Sequence, residues 1–253
     1  MKQTKTEQSK RSAGILMPVF SLPSPYGIGT LGKAAKEFVD FLAKMKHRYW
    51  QVLPVGPTGY GDSPYQSYSA FAGNPYFIDL DLLVEQGLLT VDEIREGYFG
   101  TEPRYVDYGA QFGSRFAVLR KAFARSNFRK TAEYAAFEKK AEYWLEDYCL
   151  FMAIKESEGF KPWQEWSNHD LKLHKKAALA AAAEELADEV AFQKFMQFTF
   201  YEQWHAVRAY ASENGVEIIG DIPLYVAMDS AGATRCTAGT RWRRETSNGG
   251  ASA

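Results

Sequence analysis

Two cysteines, four histidines, a formal net charge of -1 and no long apolar run leave several chemistries without material in this 253-residue chain. Cys149 and Cys236 cannot build a disulfide framework and have no metal-ligand spacing; Cys149, inside an apolar helical pattern, reads as an inert core thiol. His169 and His174 are five positions apart rather than the i, i+4 of a helical zinc pair. His47 closes the first helical pattern, where it suits the helix dipole, and His205 reads as packing or surface. The balanced charge gives no electrostatic reason to bind nucleic acid or acidic lipid, and Arg235, Arg241, Arg243 and Arg244 read as solvated. No stretch approaches the roughly 18 apolar residues of a membrane span, and residues 1–12 lack an apolar signal core. A cytoplasmic protein with no membrane and no nucleic-acid partner is expected.

What the chain does have is aromatic mass: six Trp, fifteen Tyr and seventeen Phe. Most must build a core, but such enrichment also suits a site that stacks on the C–H faces of sugar rings. Gly14 to Phe20 and Tyr49 to Val55 are continuous apolar runs, as in strands of a parallel sheet covered on both faces. Between them a helix is expected, with Ala34, Phe38, Phe41 or Leu42, and Met45 on its inner face. The stretch from Gly56 to Pro75, dense in Gly, Pro, Ser, Tyr and Asn, is too long for an ordinary connection and reads as a functional loop. Downstream, the pattern turns helical. Phe112, Phe116, Leu119 and Phe123 form one face; Tyr134, Phe137, Ala141, Trp144, Tyr148 and Phe151 form another; Lys175 to Glu189 is Ala-rich. A last helix carries Phe200, Trp204, Val207 and Ala211 and ends at Asn214-Gly215, and Val216 to Asp221 is a third strand ending in a carboxylate.

Four separated segments carry a resemblance. They are Ser21 to Gly29 (SLPSPYGIG), Tyr49 to Pro57 (YWQVLPVGP), Gly61 to Tyr76 (GDSPYQSYSAFAGNPY), and Gly220 to Val226 (GDIPLYV) with Asp229-Ser230. In this order they resemble the 4-α-glucanotransferases, the amylomaltase or disproportionating-enzyme family, glycoside hydrolase family 77. The resemblance runs from about Ala13 to Ala231, the helical block matching more in kind than in detail. It implies an α/β protein, the N-terminal part of a (β/α)₈ TIM barrel with an inserted, mostly helical subdomain. It also implies transfer of α-1,4-glucan segments between maltodextrins, no metal and no organic cofactor, and a maltodextrin or other α-1,4-glucan as partner. The family works by retaining double displacement between two carboxylates about 5–5.5 Å apart. Those acids lie after later strands of the family's barrel, so no catalytic residue is assigned here. Substrate binding is expected from Tyr65, Ser63 and Gln66 in the loop, and from Asp221, Tyr225 and Asp229 around the third strand.

The expected organisation is therefore 1–12 disordered, 13–80 the first barrel strands and substrate loop, 81–194 the helical insertion, 195–231 a barrel helix and third strand, and 232–253 a disordered tail outside the family. The Arg, Gly, Ala and Thr stretch from Gly232 onward has neither helical nor strand periodicity, which points to a chain truncated before the catalytic acids, by a frameshift or a broken gene model near Ala231. Two other functions fit parts of the pattern: an α-amylase-type hydrolase, against which the Asp62 to Gln66 motif argues, and an inactive or non-catalytic glucan-binding remnant. A three-strand piece would also leave sheet edges unpaired and be prone to aggregate.

Overall fold

The computed structural model describes residues 11–59, 61–102, 104–223 and 227–233. The expectations for residues 1–10 and 234–253, and for Tyr225, lie outside the described residues.

Three short strands, β1 (Gly14–Leu16), β2 (Tyr49–Gln51) and β3 (Glu217–Ile219), form a parallel sheet in the order β1-β2-β3. The registers pair Gly14 with Tyr49 and Trp50 with both Ile15 and Ile218. Parallel neighbours need long crossovers. One is α1 (Lys33–Lys44), which joins β1 to β2. Among the described residues the other holds eight α-helices: α2 (Leu80–Glu85), α3 (Val91–Arg95), α4 (Tyr108–Arg125), α5 (Ala132–Ala141), α6 (Leu145–Ser157), α7 (His169–Lys172), α8 (Lys176–Glu185) and α9 (Ala187–Glu213). Gly14 has a specific reason: a Cβ there would stand 2.5 Å from the Tyr49 Cβ and 2.6 Å from the Tyr49 carbonyl oxygen.

The strands are shorter and more open than the apolar runs suggest. After Leu16 the chain turns through a 3₁₀ segment at Val19–Ser21, and Leu16 and Ile219 are 51% and 42% exposed. β1 and β3 border the sheet among the described residues, so their side chains are not covered as a central strand's would be. β2 does sit in the core: Trp50 is fully buried and its indole N–H donates to the Met17 carbonyl at 2.8 Å.

The buried stripe of helix α1 is Ala35, Val39 and Leu42, the last among the expected residues; in the other expected stripe Ala34 and Phe38 pack half-buried against the core, while Phe41 and Met45 face solvent. Both stripes are apolar, and only the position of the sheet selects between them. The expected single face from Tyr134 to Phe151 breaks at residues 142–144 into α5 and α6. The Ala-rich stretch likewise ends at Glu185, and Leu186 separates it from a 27-residue helix that runs without interruption through residues 194 and 195.

One main core gathers Val39 and Trp50 with Leu83, Ile94, Val118, Leu119, Phe192, Phe195 and Phe200. The first helices of the 81–194 block thus share a core with the sheet. Two smaller apolar clusters lie around α6, one with Trp144, Tyr148 and Cys149, the other with Phe151, Trp163, Trp166 and Ala231. Arg120 of α4 joins the layers by bonding to Glu156 on α6 and Glu189 on α9.

Buried polar side chains of α4 and α9 satisfy loop backbone that has no sheet partner. Gln197 accepts from the Gly73 N–H at 2.8 Å and donates to the Gly73 carbonyl at 3.0 Å. Gln203 does the same for Asp79, at 2.7 and 3.1 Å. Fully buried Arg115 donates to the Ile78 carbonyl and to Gln111, which itself donates to the carbonyls of Tyr26 and Phe99. Burial lowers the Arg115 pKa to about 10.

Candidate functional site

The long loop leaves the carboxyl end of β2, and α9 fixes its far arm. The Asn74 N–H donates to the Val55 carbonyl at 2.8 Å, closing the loop's base, and Gly73 lies so close to α9 that an added Cβ would meet the Phe200 ring at 2.0 Å. Inside, Thr58 and Ser67 form an antiparallel bridge, and the buried Ser67 hydroxyl donates toward the carbonyls of Pro57 and Ser69. The tip turns through Gly61 at φ +99° and Asp62 at φ +56°, left-handed backbone that Gly and Asp tolerate better than most residues. The Gln66 N–H then donates to the Ser63 carbonyl at 3.1 Å, and the Tyr65 N–H faces the Ser63 hydroxyl at 3.4 Å.

This turn presents Tyr65 to the end of β3. Its hydroxyl donates to Asp221 Oδ2 at 2.7 Å, and the residue remains 41% exposed. The other Asp221 oxygen accepts the Ile222 N–H at 2.8 Å. The bond to the carboxylate raises the Tyr65 pKa, since the neutral phenol is the donor. Asp62 beside it is also raised, by partial burial. An exposed aromatic ring anchored to a carboxylate with free acceptor capacity offers both surfaces a sugar needs: an apolar face and a hydrogen-bond acceptor.

Of the six expected binding residues, Tyr65 and Asp221 meet, Ser63 supports the turn that aims Tyr65, and Gln66 stands beside them with an exposed side chain. Asp229 is engaged elsewhere. Its Oδ2 accepts from the ammonium of Lys155, and its Oδ1 accepts the Trp163 N–H at 3.1 Å. Sequence reasoning missed Lys155, although a signal existed: it continues the Tyr148 and Phe151 face of α6 at helical spacing, where a charge must have a partner. Among the described residues no group of three or more His, Cys, Asp or Glu converges as a metal site, and no helix is long and apolar enough to cross a membrane.

Comparison with known proteins gives a consistent result. Residues 17–237 match the profile of a family described as 4-alpha-glucanotransferase, a span that passes Ala231, where the sequence reading placed the end of the resemblance. The chain is 47% identical over 215 residues to a 4-alpha-glucanotransferase of Clostridium butyricum, covering 85% of this chain and 44% of that one. It is 46% identical over 225 residues to a 4-alpha-glucanotransferase of Thermus thermophilus, covering 87% and 44%. A solved structure of amylomaltase from Streptococcus agalactiae in complex with acarbose superposes with a TM-score of 0.83 at 42% identity, covering 88% of this chain and 45% of that chain. The chain therefore spans less than half the length of these relatives.

Proposed function

The chain belongs to the 4-alpha-glucanotransferase family, and from that premise we propose that the Gly56 to Pro75 loop and the segment after β3 form part of a rim on which an α-1,4-glucan lies. The parent reaction in this reading moves a glucan segment from one maltodextrin to another by retaining double displacement, which needs two carboxylates about 5–5.5 Å apart. The three parallel strands are then the first of a (β/α)₈ barrel whose loops at the carboxyl ends carry the site, with the 81–194 helices as its insertion. The reading places the protein in the cytoplasm and requires no cofactor. It assigns no nucleophile and no acid/base to residues 1–253.

The observation that carries the proposal is the bond between Tyr65 and Asp221, which joins two loops at the carboxyl end of the sheet and leaves Tyr65 41% exposed. Tyr65 supplies the stacking face and Asp221 an acceptor for sugar hydroxyls. Ser63 and Gln66 belong to the same rim. Asp229, already held by Lys155 and Trp163, serves the rim's framework rather than the sugar. The amylomaltase solved with acarbose, a chain 42% identical, lends weight to an oligosaccharide ligand here.

Calorimetric titration with maltoheptaose tests this. Wild type should bind and Tyr65→Ala should bind at least about tenfold more weakly, the loss of one stacking face with its hydroxyl bond; equal affinity for the two chains would remove the loop from the site. Products formed from maltotriose by the full-length protein separate transfer from hydrolysis. Transfer yields longer and shorter maltodextrins, whereas hydrolysis yields only shorter ones.

A further inference from the structure

The segment that follows β3 is held by the helical layer as well as by the sheet. Lys155 on α6 has a side chain with no solvent exposure, yet it carries an ammonium. That ammonium donates to Asp229 Oδ2 and to the Lys161 carbonyl, the latter at 2.9 Å. It also stands 5.1 Å from the Tyr68 ring centroid and 6.0 Å from that of Phe151. Around this contact the segment is pinned again. The Trp163 indole N–H donates to the Met228 carbonyl at 2.8 Å, and the Ala231 N–H donates to the Tyr68 carbonyl at 3.1 Å. Lys155 therefore touches Tyr68, at one end of a backbone link between residue 231 and the middle of the loop that carries Tyr65, and Asp229, two residues before its other end.

Packing alone does not call for a charge here. A buried ion pair is often no more stabilising than well-packed apolar side chains of the same volume, so an apolar pair at positions 155 and 229 would fill this space as well. What the ammonium adds is direction: its donors are spent on a carboxylate and a carbonyl, and its charge on the faces of two rings. We propose that Lys155 is a positioning residue: by holding Asp229 and the Tyr68 ring it fixes the Tyr68–Ala231 link, and so sets Tyr65 against Asp221. The effect on sugar binding rests on the carbohydrate reading above; the effect on loop geometry does not.

Two measurements on the whole 253-residue chain test it. In hydrogen exchange, Lys155→Met should speed exchange at the Ala231, Trp163 and Gln66 amides about tenfold, the scale of a local opening, while core amides such as Trp50 keep their protection. Unchanged rates would overturn the proposal. So would faster exchange at Ala231 and Trp163 with Gln66 unaffected, because the clamp would then stop short of the site. Should Lys155→Met fold poorly, Lys155→Met/Asp229→Leu removes both charges and is read in the same way. In maltoheptaose titration, Lys155→Met should weaken binding about tenfold alone and add nothing further in a Tyr65→Phe background, because the two act through one contact. Independent losses that multiply would overturn the coupling. If wild type fails to bind, the carbohydrate reading falls, and the exchange pattern alone decides the role of Lys155.

Discussion

Tyr65 and Asp221 lie 156 positions apart in the chain, and a 2.7 Å hydrogen bond joins them at the end of the sheet. Their contact is the place where the loop after β2 and the segment after β3 become one surface, and it is open to titration.

Because the carboxylate accepts from the neutral phenol, the Tyr65 pKa lies above its ordinary value of 10.0. The bond contributes stability that is fully present below the unfolded phenol's pKa and is lost as pH rises through the higher folded value. Asp221→Asn should bring the Tyr65 ionisation back toward 10.0, followed as phenolate absorbance with Tyr65→Phe as the blank. An unmoved titration would mean that the bond is not formed in solution.

Lys155 and Asp229 should respond unequally to neutralisation. Lys155 has no exposure and Asp229 keeps 26% of its side-chain area in water, so the orphan left behind differs. Removing one partner of a buried pair costs about 3–5 kcal/mol in general, and Asp229→Asn, which strands the ammonium, should sit at the upper end. Lys155→Met leaves a carboxylate that can hydrate and should cost clearly less. Urea unfolding of both variants checks the order.

Gln197 closes both backbone groups of Gly73 from within α9. Gln197→Met keeps the volume but leaves a buried N–H and C=O unpaired, at about 1–3 kcal/mol for each group. A loss of about 2–5 kcal/mol in denaturant midpoint analysis is expected, with faster exchange at the Gly73 amide. A loss below about 1 kcal/mol would show that the loop satisfies these groups by another route.

Glu93 caps α3 through Thr90 and pairs with Arg125, and the Arg125 guanidinium is the main reason its pKa falls to about 2. The sign is that of a depressed carboxylate: its stabilisation is present above the unfolded pKa and fades as pH falls toward 2. Arg125→Gln should move the Glu93 carboxyl back toward 4.5, read from its side-chain carbon shift during acid titration.

Part of this organisation is legible in the sequence. The runs at Gly14 and Tyr49 gave the parallel strands, and Asn214-Gly215 gave the end of α9, because caps and apolar periods are local properties. The Gly56 to Pro75 stretch marked the loop by composition and length. Gln111, Arg115, Lys155, Gln197 and Gln203 were not legible as a framework. A buried polar residue is recognised by the partner it satisfies, and many of these partners lie tens of positions away on loops, although the Arg115–Gln111, Lys155–Lys161 and Gln111–Phe99 bonds are closer in the chain.

The sequence by itself determined the family, the strand and helix types, and the loop that presents Tyr65, since these rest on short-range patterns and separated motifs. Only the tertiary structure decided which stripe of α1 is inside, that Asp221 receives Tyr65, and that Asp229 is taken by Lys155. Two apolar stripes or two carboxylates are equivalent on paper. Packing makes them different, because one position faces a covered surface or a buried charge and the other faces water.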